Sequence, residues 1–402
     1  MKDFTWTQWM IIIILSLLTA LEPLSIDLYL PGFLMISEAF STSISSVQIS
    51  LSTFLAGFAI GQLIWGPLAD RFGRKKPIIV SLLIFIVASI ACIYVNTIEQ
   101  LWVVRFVQAL GGCGGVVISR AVVTDYFDSS KTLKIFAILA LIMGIAPIIA
   151  PSIGNGVLQL FSWKGLFSAM TLLGIVLCLL TIFFLPETHK ERAAKSNENV
   201  FRSYLEILKV RKFVVYSLIA GIANGALMIY VANGPFLIMD KAGFSSNAFG
   251  LIFGFNAFGL MIGSYITTLF QKYMSTGRLV KYSLLMMTAV SLLLVGMMYT
   301  GVHMNLVLVA LFFYIFPIGI LFPATTELAI TPFTHNSGTA SALFGSIQLA
   351  VAFICTVISN FISDGSVTAV GVAFMLCSVL AFTIVFTPAT NQEKVSEWTP
   401  SH

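Results

Sequence analysis

Four ionisable residues, Glu22, Asp27, Arg105 and Arg120, lie inside long apolar runs of the first half of the chain. A charge at the middle of a hydrocarbon layer costs several kcal/mol unless it is paired, hydrated or neutralised, so such residues mark proton or ion pathways. The second half holds one comparable group, Glu327, near the end of its run. At about 1.5 Å per helical residue, Asp27 falls about 10 Å below the outer end of its run, and Arg105 reaches a similar depth. The two are therefore expected to pair. Glu22, about 7 Å deeper, is left as the carboxylate without a partner, and an uncompensated carboxyl in low dielectric exchanges protons near neutral pH. Pro23 and Pro31 flank this stretch and are expected to interrupt its hydrogen-bond ladder, freeing carbonyls toward a wet cavity. The alternative left open is that Asp27 and Arg105 form a structural pair and Glu22 snorkels or caps. No His cluster, nucleotide-binding loop or nucleophile arrangement is present, so the chain reads as neither an enzyme nor a metal protein. No cofactor is expected beyond a proton gradient. Cys92, Cys113, Cys178, Cys355 and Cys377 are widely separated within apolar runs and read as packing residues.

The elements that must position these charges are membrane helices. Hydrophobic residues make up 58% of the 402-residue chain and charged residues 10%, and the mean hydropathy is +0.97. A span needs about 20 mostly apolar residues. Twelve such runs are predicted, at 9–34, 46–68, 77–96, 100–124, 132–160, 164–186, 213–238, 246–270, 280–300, 304–329, 337–362 and 366–388. Continuous runs exclude a β-barrel, whose strands alternate, and predict an all-α integral membrane protein. The first run carries Glu22 and Asp27, is long, and lacks a small-residue cleavage site, so it is not read as a signal peptide. With the N-terminus inside, 18 of the 22 Lys and Arg residues fall on inner segments, whereas outer loops hold only Lys164 and Lys241. This bias predicts cytoplasmic termini. The net charge of +5 then belongs to the inner face and anionic lipid, and implies no nucleic-acid partner.

One polar stretch divides the chain. Residues 187–212 separate a six-span half, 1–186, from a second, 213–402. Gly57-x-x-x-Gly61 in span 2 recurs 202 residues later as Gly259-x-x-x-Gly263 in span 8, which suggests an internal repeat with close helix packing.

Residues 61–76 read Gly-Gln-Leu-Ile-Trp-Gly-Pro-Leu-Ala-Asp-Arg-Phe-Gly-Arg-Lys-Lys. Gly66 and Gly73 permit a tight turn, and Asp70 and Arg74 stand at i,i+4 spacing. The pattern, with Arg71, resembles the loop 2–3 signature of the major facilitator superfamily. Lys272, Gly277 and Arg278 form a worn copy after span 8, with nothing matching Asp70. Residues 23–31, Pro-Leu-Ser-Ile-Asp-Leu-Tyr-Leu-Pro, resemble the first-span signature of the bicyclomycin-resistance (Bcr/CflA-type) drug:proton antiporters, and Ile49–Thr53 and Gly338–Ser341 continue the likeness. Arg105 to Gly111 resembles the arginine motif associated with proton coupling. Gly144, Pro147, Pro151 and Gly154 resemble the antiporter motif. Glu22 and Asn155 depart from the subfamily pattern, which places an apolar residue and a glycine there.

The resemblance implies two six-helix pseudo-repeats working by alternating access. It implies a cytoplasmic charge lock of Asp70, Arg74 and Asp125, and a cavity faced by spans 1, 4, 7 and 10. That nominates Tyr29, Gln108, Asn224, Tyr230, Asn233, Tyr314 and Phe316, with Asn256 and Gln348 behind them. An apolar, aromatic cavity with a spare carboxylate suits lipophilic neutral or cationic compounds. The expectation is a monomeric, proton-coupled multidrug efflux antiporter of the inner membrane. Its alternatives are a dedicated exporter of one metabolite, such as an amino acid or sugar, and, from another class, a non-transporting membrane sensor.

Overall fold

The computed structural model describes residues 4–188, 200–333 and 337–386. Among these, helices account for all the regular structure. They are α1 (Trp6–Asp27), α2 (Phe33–Ala39), α3 (Ile44–Phe72), α4 (Lys75–Tyr94), α5 (Ile98–Tyr126), α6 (Ser129–Leu160) and α7 (Trp163–Phe184). After these come α8 (Val200–Leu208), α9 (Arg211–Pro235), α10 (Ser246–Phe270), α11 (Thr276–Tyr299), α12 (Met304–Ile330), α13 (Ser337–Ile362) and α14 (Val367–Val385). Twelve helical segments are long and apolar enough to cross a membrane. Their starts are written locally. Thr5 and Gln8 form a capping box at α1, and Ser43, Thr97 and Ser366 accept the N–H three residues ahead at α3, α5 and α14. Residues 189–199, at the centre of the anticipated linker, and Lys2 and Lys394 of the topology count lie outside the described residues.

The helices group into two units, 1–197 with 246–254, and 198–245 with 255–402. Within the first, α1 packs on α5, α6 and α7. Within the second, α9 packs on α12, α13 and α14. Both Gly pairs sit at close helix contacts. A Cβ on Gly57 of α3 would lie 2.2 Å from the Phe106 carbonyl oxygen of α5, and one on Gly263 of α10 would lie 2.4 Å from that of Phe316 on α12. Each pair lets two helix backbones touch, through its first glycine in one unit and its second in the other. The chain is thus an all-α, twelve-span protein built on two related six-helix sets.

Span 1 is not one helix. Its run continues through Pro23, but α1 stops at Asp27, a 3-10 turn covers Leu30–Gly32, and α2 follows. Of the two prolines expected to interrupt the ladder, Pro31 is the one at the break. It has no N–H to offer the Asp27 carbonyl four residues back.

Candidate functional site

The break in span 1 organises the buried polar residues of the first unit. Leu28 N–H donates to the Leu24 carbonyl, but Tyr29 N–H turns to Ile26 (3.3 Å). The Ser25 carbonyl thereby loses its i+4 partner, and Arg105 Nη2 donates to it at 3.1 Å. Arg105 Nη1 donates to Gln108 Oε1 at 2.6 Å. The guanidinium carbon lies 4.3 Å from the ring centre of Phe54, 4.7 Å from Tyr29 and 6.0 Å from Phe167. Arg105 is fully buried, and its Nε has no hydrogen-bond partner among the described residues. Three ring faces stabilise this cation alongside the two hydrogen bonds, at about 2 kcal/mol for a well-placed desolvated contact.

Asp27 does not pair with Arg105, contrary to the expectation from depth. The level is right, since Arg105 bonds the Ser25 carbonyl two residues before Asp27. The direction is not: the guanidinium turns into the aromatic cage and toward Gln108. Asp27 is 4% exposed. Its dominant charged neighbour is Glu22, half-buried one helical turn deeper on α1, and Glu22 in turn lies in the field of Arg120. The site is therefore a pair of carboxylates on one helix, with the buried cation held apart from them.

On the far side of the break stands α6. A Cβ on Gly154 would lie 2.3 Å from the Leu28 carbonyl oxygen and 3.1 Å from its carbon. Gly154 is thus a close-approach residue that lets α6 rest on the exposed backbone of the break. Gly144, Pro147 and Pro151 lie along the same helix.

The loop between α3 and α4 forms a second site. Gly73 adopts φ +87°, a left-handed conformation that favours glycine. Arg74 Nη1 donates to Asp70 Oδ1 (2.5 Å) and Nε to Asp125 Oδ2 (2.7 Å). Burial works against the Arg74 charge, but these two carboxylates outweigh it and hold the guanidinium above its ordinary value. The side chain of Asp70 is 69% exposed and that of Asp125 25%, so the arm to Asp125 carries more of the energy. Arg71 is exposed, with its guanidinium over Phe72, and a Cβ on Gly66 would meet nothing within 4 Å. In the second unit, Glu327 of α12 accepts hydrogen bonds from Gln271 and Thr276, which flank the loop between α10 and α11.

The remaining candidates divide. Tyr29 meets Ser50 (2.9 Å), Gln108 donates to Ser89 (2.7 Å) and Met170 Sδ (3.5 Å), and Tyr314 donates to the Phe374 carbonyl (3.1 Å). Their polar atoms are taken up inside their own units. Asn233 bonds the Ile229 carbonyl of its own helix, and Asn224 is buried on α9. Asn256 of α10 donates to the Tyr230 hydroxyl of α9 at 2.7 Å, so these two nominated residues are brought together. Phe316 and Gln348 are half-buried on α12 and α13. Sequence reasoning missed Phe54, Phe167, Ser25 and Ser89. Phe and Ser in an apolar run carry no local signal, and the Ser25 contribution is a backbone atom.

Comparison with known proteins places the fold. The Major Facilitator Superfamily matches residues 15–356. An uncharacterized MFS-type transporter, YdgK, of Bacillus subtilis (strain 168) is 32% identical over 94% of this chain and 95% of its own. A bicyclomycin resistance protein homolog of Haemophilus influenzae is 28% identical over 87% and 88%. The multidrug resistance protein MdtL of Salmonella heidelberg is 27% identical over 93% and 94%. Among solved structures, a D-xylose-proton symporter superposes with a TM-score of 0.79 at 12% identity, covering 96% of this chain and 99% of that one. At that identity the likeness speaks for the fold alone. With twelve spans in two related sets, the loop 2–3 charge triad and this match over most of its length, the chain belongs to the Major Facilitator Superfamily and is a multi-pass membrane transporter, not an enzyme.

Proposed function

We propose that this transporter exports small lipophilic compounds, neutral or cationic, across the cytoplasmic membrane in exchange for protons. The observation that carries the reading is Asp27, a buried carboxylate at the break in span 1 without a salt bridge to Arg105, with Glu22 as a second acid on the same helix. A buried negative charge in hydrocarbon is costly to hold. A proton and an incoming cation therefore compete for one place, and each shifts the affinity for the other by the same factor. Arg105 keeps a fixed positive charge behind the break and holds the Ser25 carbonyl, so that a change at Asp27 is transmitted to α5. Gly154 lets α6 feel the same break through Leu28. On the substrate side, the Tyr230–Asn256 pair and the buried Asn224 and Asn233 of α9 supply polar groups for ligand contact. The Asp70–Arg74–Asp125 triad acts as an inner latch, made in one state of the cycle and broken in the other. The names of the bicyclomycin-resistance and multidrug-resistance relatives support a drug-like substrate class. The concentration of Lys and Arg on one set of loops supports cytoplasmic termini.

The test is resistance profiling. A host lacking its own drug pumps and expressing this chain is challenged with a panel of lipophilic cations and neutral compounds of matched size. Raised resistance to several unrelated members is expected. Protein present in the membrane with no shift for any member would overturn the multidrug reading.

A further inference from the structure

The N-terminus of α4 has no local cap. Its N-cap residue, Arg74, makes no side-chain capping bond, and the first N–H groups of a helix have no intrahelical acceptor. Glu187, three residues beyond the end of α7, supplies one. Its Oε1 accepts the Arg74 N–H at 2.8 Å and its Oε2 accepts the Lys75 N–H at 3.2 Å. The carboxylate also meets the positive end of the helix dipole. Lys75 returns the contact, its Nζ donating to the Ile182 carbonyl in the last turn of α7 at 2.8 Å. The fit extends to Gly73. A Cβ there would lie 2.6 Å from Glu187 Oε2, so the carboxylate occupies the space that any other side chain at that position would need.

Arg74 is consequently held from both ends. Its side chain reaches Asp70 on α3 and Asp125 on α5, and its backbone is fixed to the end of α7. We propose that Glu187 is the positioning residue of the inner latch, fixing the backbone of Arg74 so that the guanidinium meets Asp125. The proposal rests on the triad acting as a latch. It adds a third acid, from a fourth helix terminus, through which movement of α7 would release the other three residues.

Hydrogen–deuterium exchange on the full-length protein in lipid nanodiscs tests it. The variants are Arg74→Gln, Glu187→Gln, Glu187→Asp and the Arg74→Gln/Glu187→Gln double. Two readouts are followed, the Arg74 and Lys75 amides and the α5 segment 116–126. Glu187→Gln should speed exchange of the two amides by about tenfold or more and deprotect 116–126 as far as Arg74→Gln does. Glu187→Asp should restore part of that protection. The double variant should match the single ones, because the two residues act through one contact. Deprotection of the two amides with 116–126 unchanged, or additive effects in the double variant, would overturn the proposal. Should Arg74→Gln itself leave 116–126 protected, the latch reading fails, and Glu187 is then a helix cap without a gating role. Gly73→Ala displaces the carboxylate from the opposite side. If Glu187→Gln does not fold, Gly73→Ala should give the same pattern, and protection equal to wild type would count against the proposal.

Discussion

Two glycines of α6, two residues apart, should respond to the same substitution with opposite signs. At Gly154 an added methyl would sit 2.3 Å from the Leu28 carbonyl oxygen, more than 1 Å inside ordinary contact. The obstacle is backbone, fixed by the break in span 1, and cannot rotate away as a side chain could. Overpacking of this kind costs about 3 kcal/mol at the upper end of its range. Replacing a mid-helix glycine by alanine returns about 1 kcal/mol in backbone entropy, leaving a net loss of about 2 kcal/mol, or about thirtyfold in the folded equilibrium. At Gly156 nothing lies within 4 Å of the new methyl, so only the entropy gain of about 1 kcal/mol remains. For units of this size the apparent melting midpoint moves by about 2–4 °C per kcal/mol. Gly154→Ala should therefore melt about 4–8 °C below wild type and Gly156→Ala about 2–4 °C above it, read by a thiol-reactive dye on the buried cysteines. Gly154→Ala should also lose drug export at matched expression, while Gly156→Ala keeps it. A Gly154→Ala protein melting at or above wild type would refute the claim that α6 rests on the span 1 backbone.

Two further outcomes follow from the buried charges. Arg105→Lys keeps the charge but loses the fork that joins Gln108 to the Ser25 carbonyl and the planar face against Phe54 and Tyr29. Export in cells should fall at least about tenfold with the protein still inserted, and full export would reduce Arg105 to a generic cation. Glu22→Gln should impair binding of a lipophilic cation far more than that of a neutral compound of similar size, measured on purified protein between about pH 6 and 8. Equal losses for both would make Glu22 structural.

How legible this was depends on how far each signal travels along the chain. The spans could be read because hydrocarbon thickness imposes a local rule of length and apolarity, and α3, α5 and α10 fall close to their predicted limits. The Asp70–Arg74 pair could be read from its spacing of four, and Asp125 entered only through a family likeness, 51 residues away. Glu187, 113 residues from Arg74, had no sequence signal beyond its place after an apolar run. The expected Asp27–Arg105 pair shows the limit of depth reasoning. Helix rise gives height along the membrane normal, but rotation about the helix axis decides which neighbour a side chain faces. That rotation is set by Phe54, Phe167 and Gln108, whose convergence on Arg105 only the folded chain reveals. The polar atoms of Tyr29, Gln108 and Tyr314 meet partners of their own unit for the same reason: depth along the membrane does not say which neighbour a side chain faces.

The central claim is that export is exchanged for protons through the carboxylates of span 1. The direct measurement uses proteoliposomes loaded with a pH-sensitive dye, to which a lipophilic cation identified in the resistance panel is added. The exchange account predicts proton movement opposite to the compound in wild type, and none in Asp27→Asn reconstituted to the same density. Transport of the compound by wild type with no proton movement, or undiminished proton movement in Asp27→Asn, would contradict it.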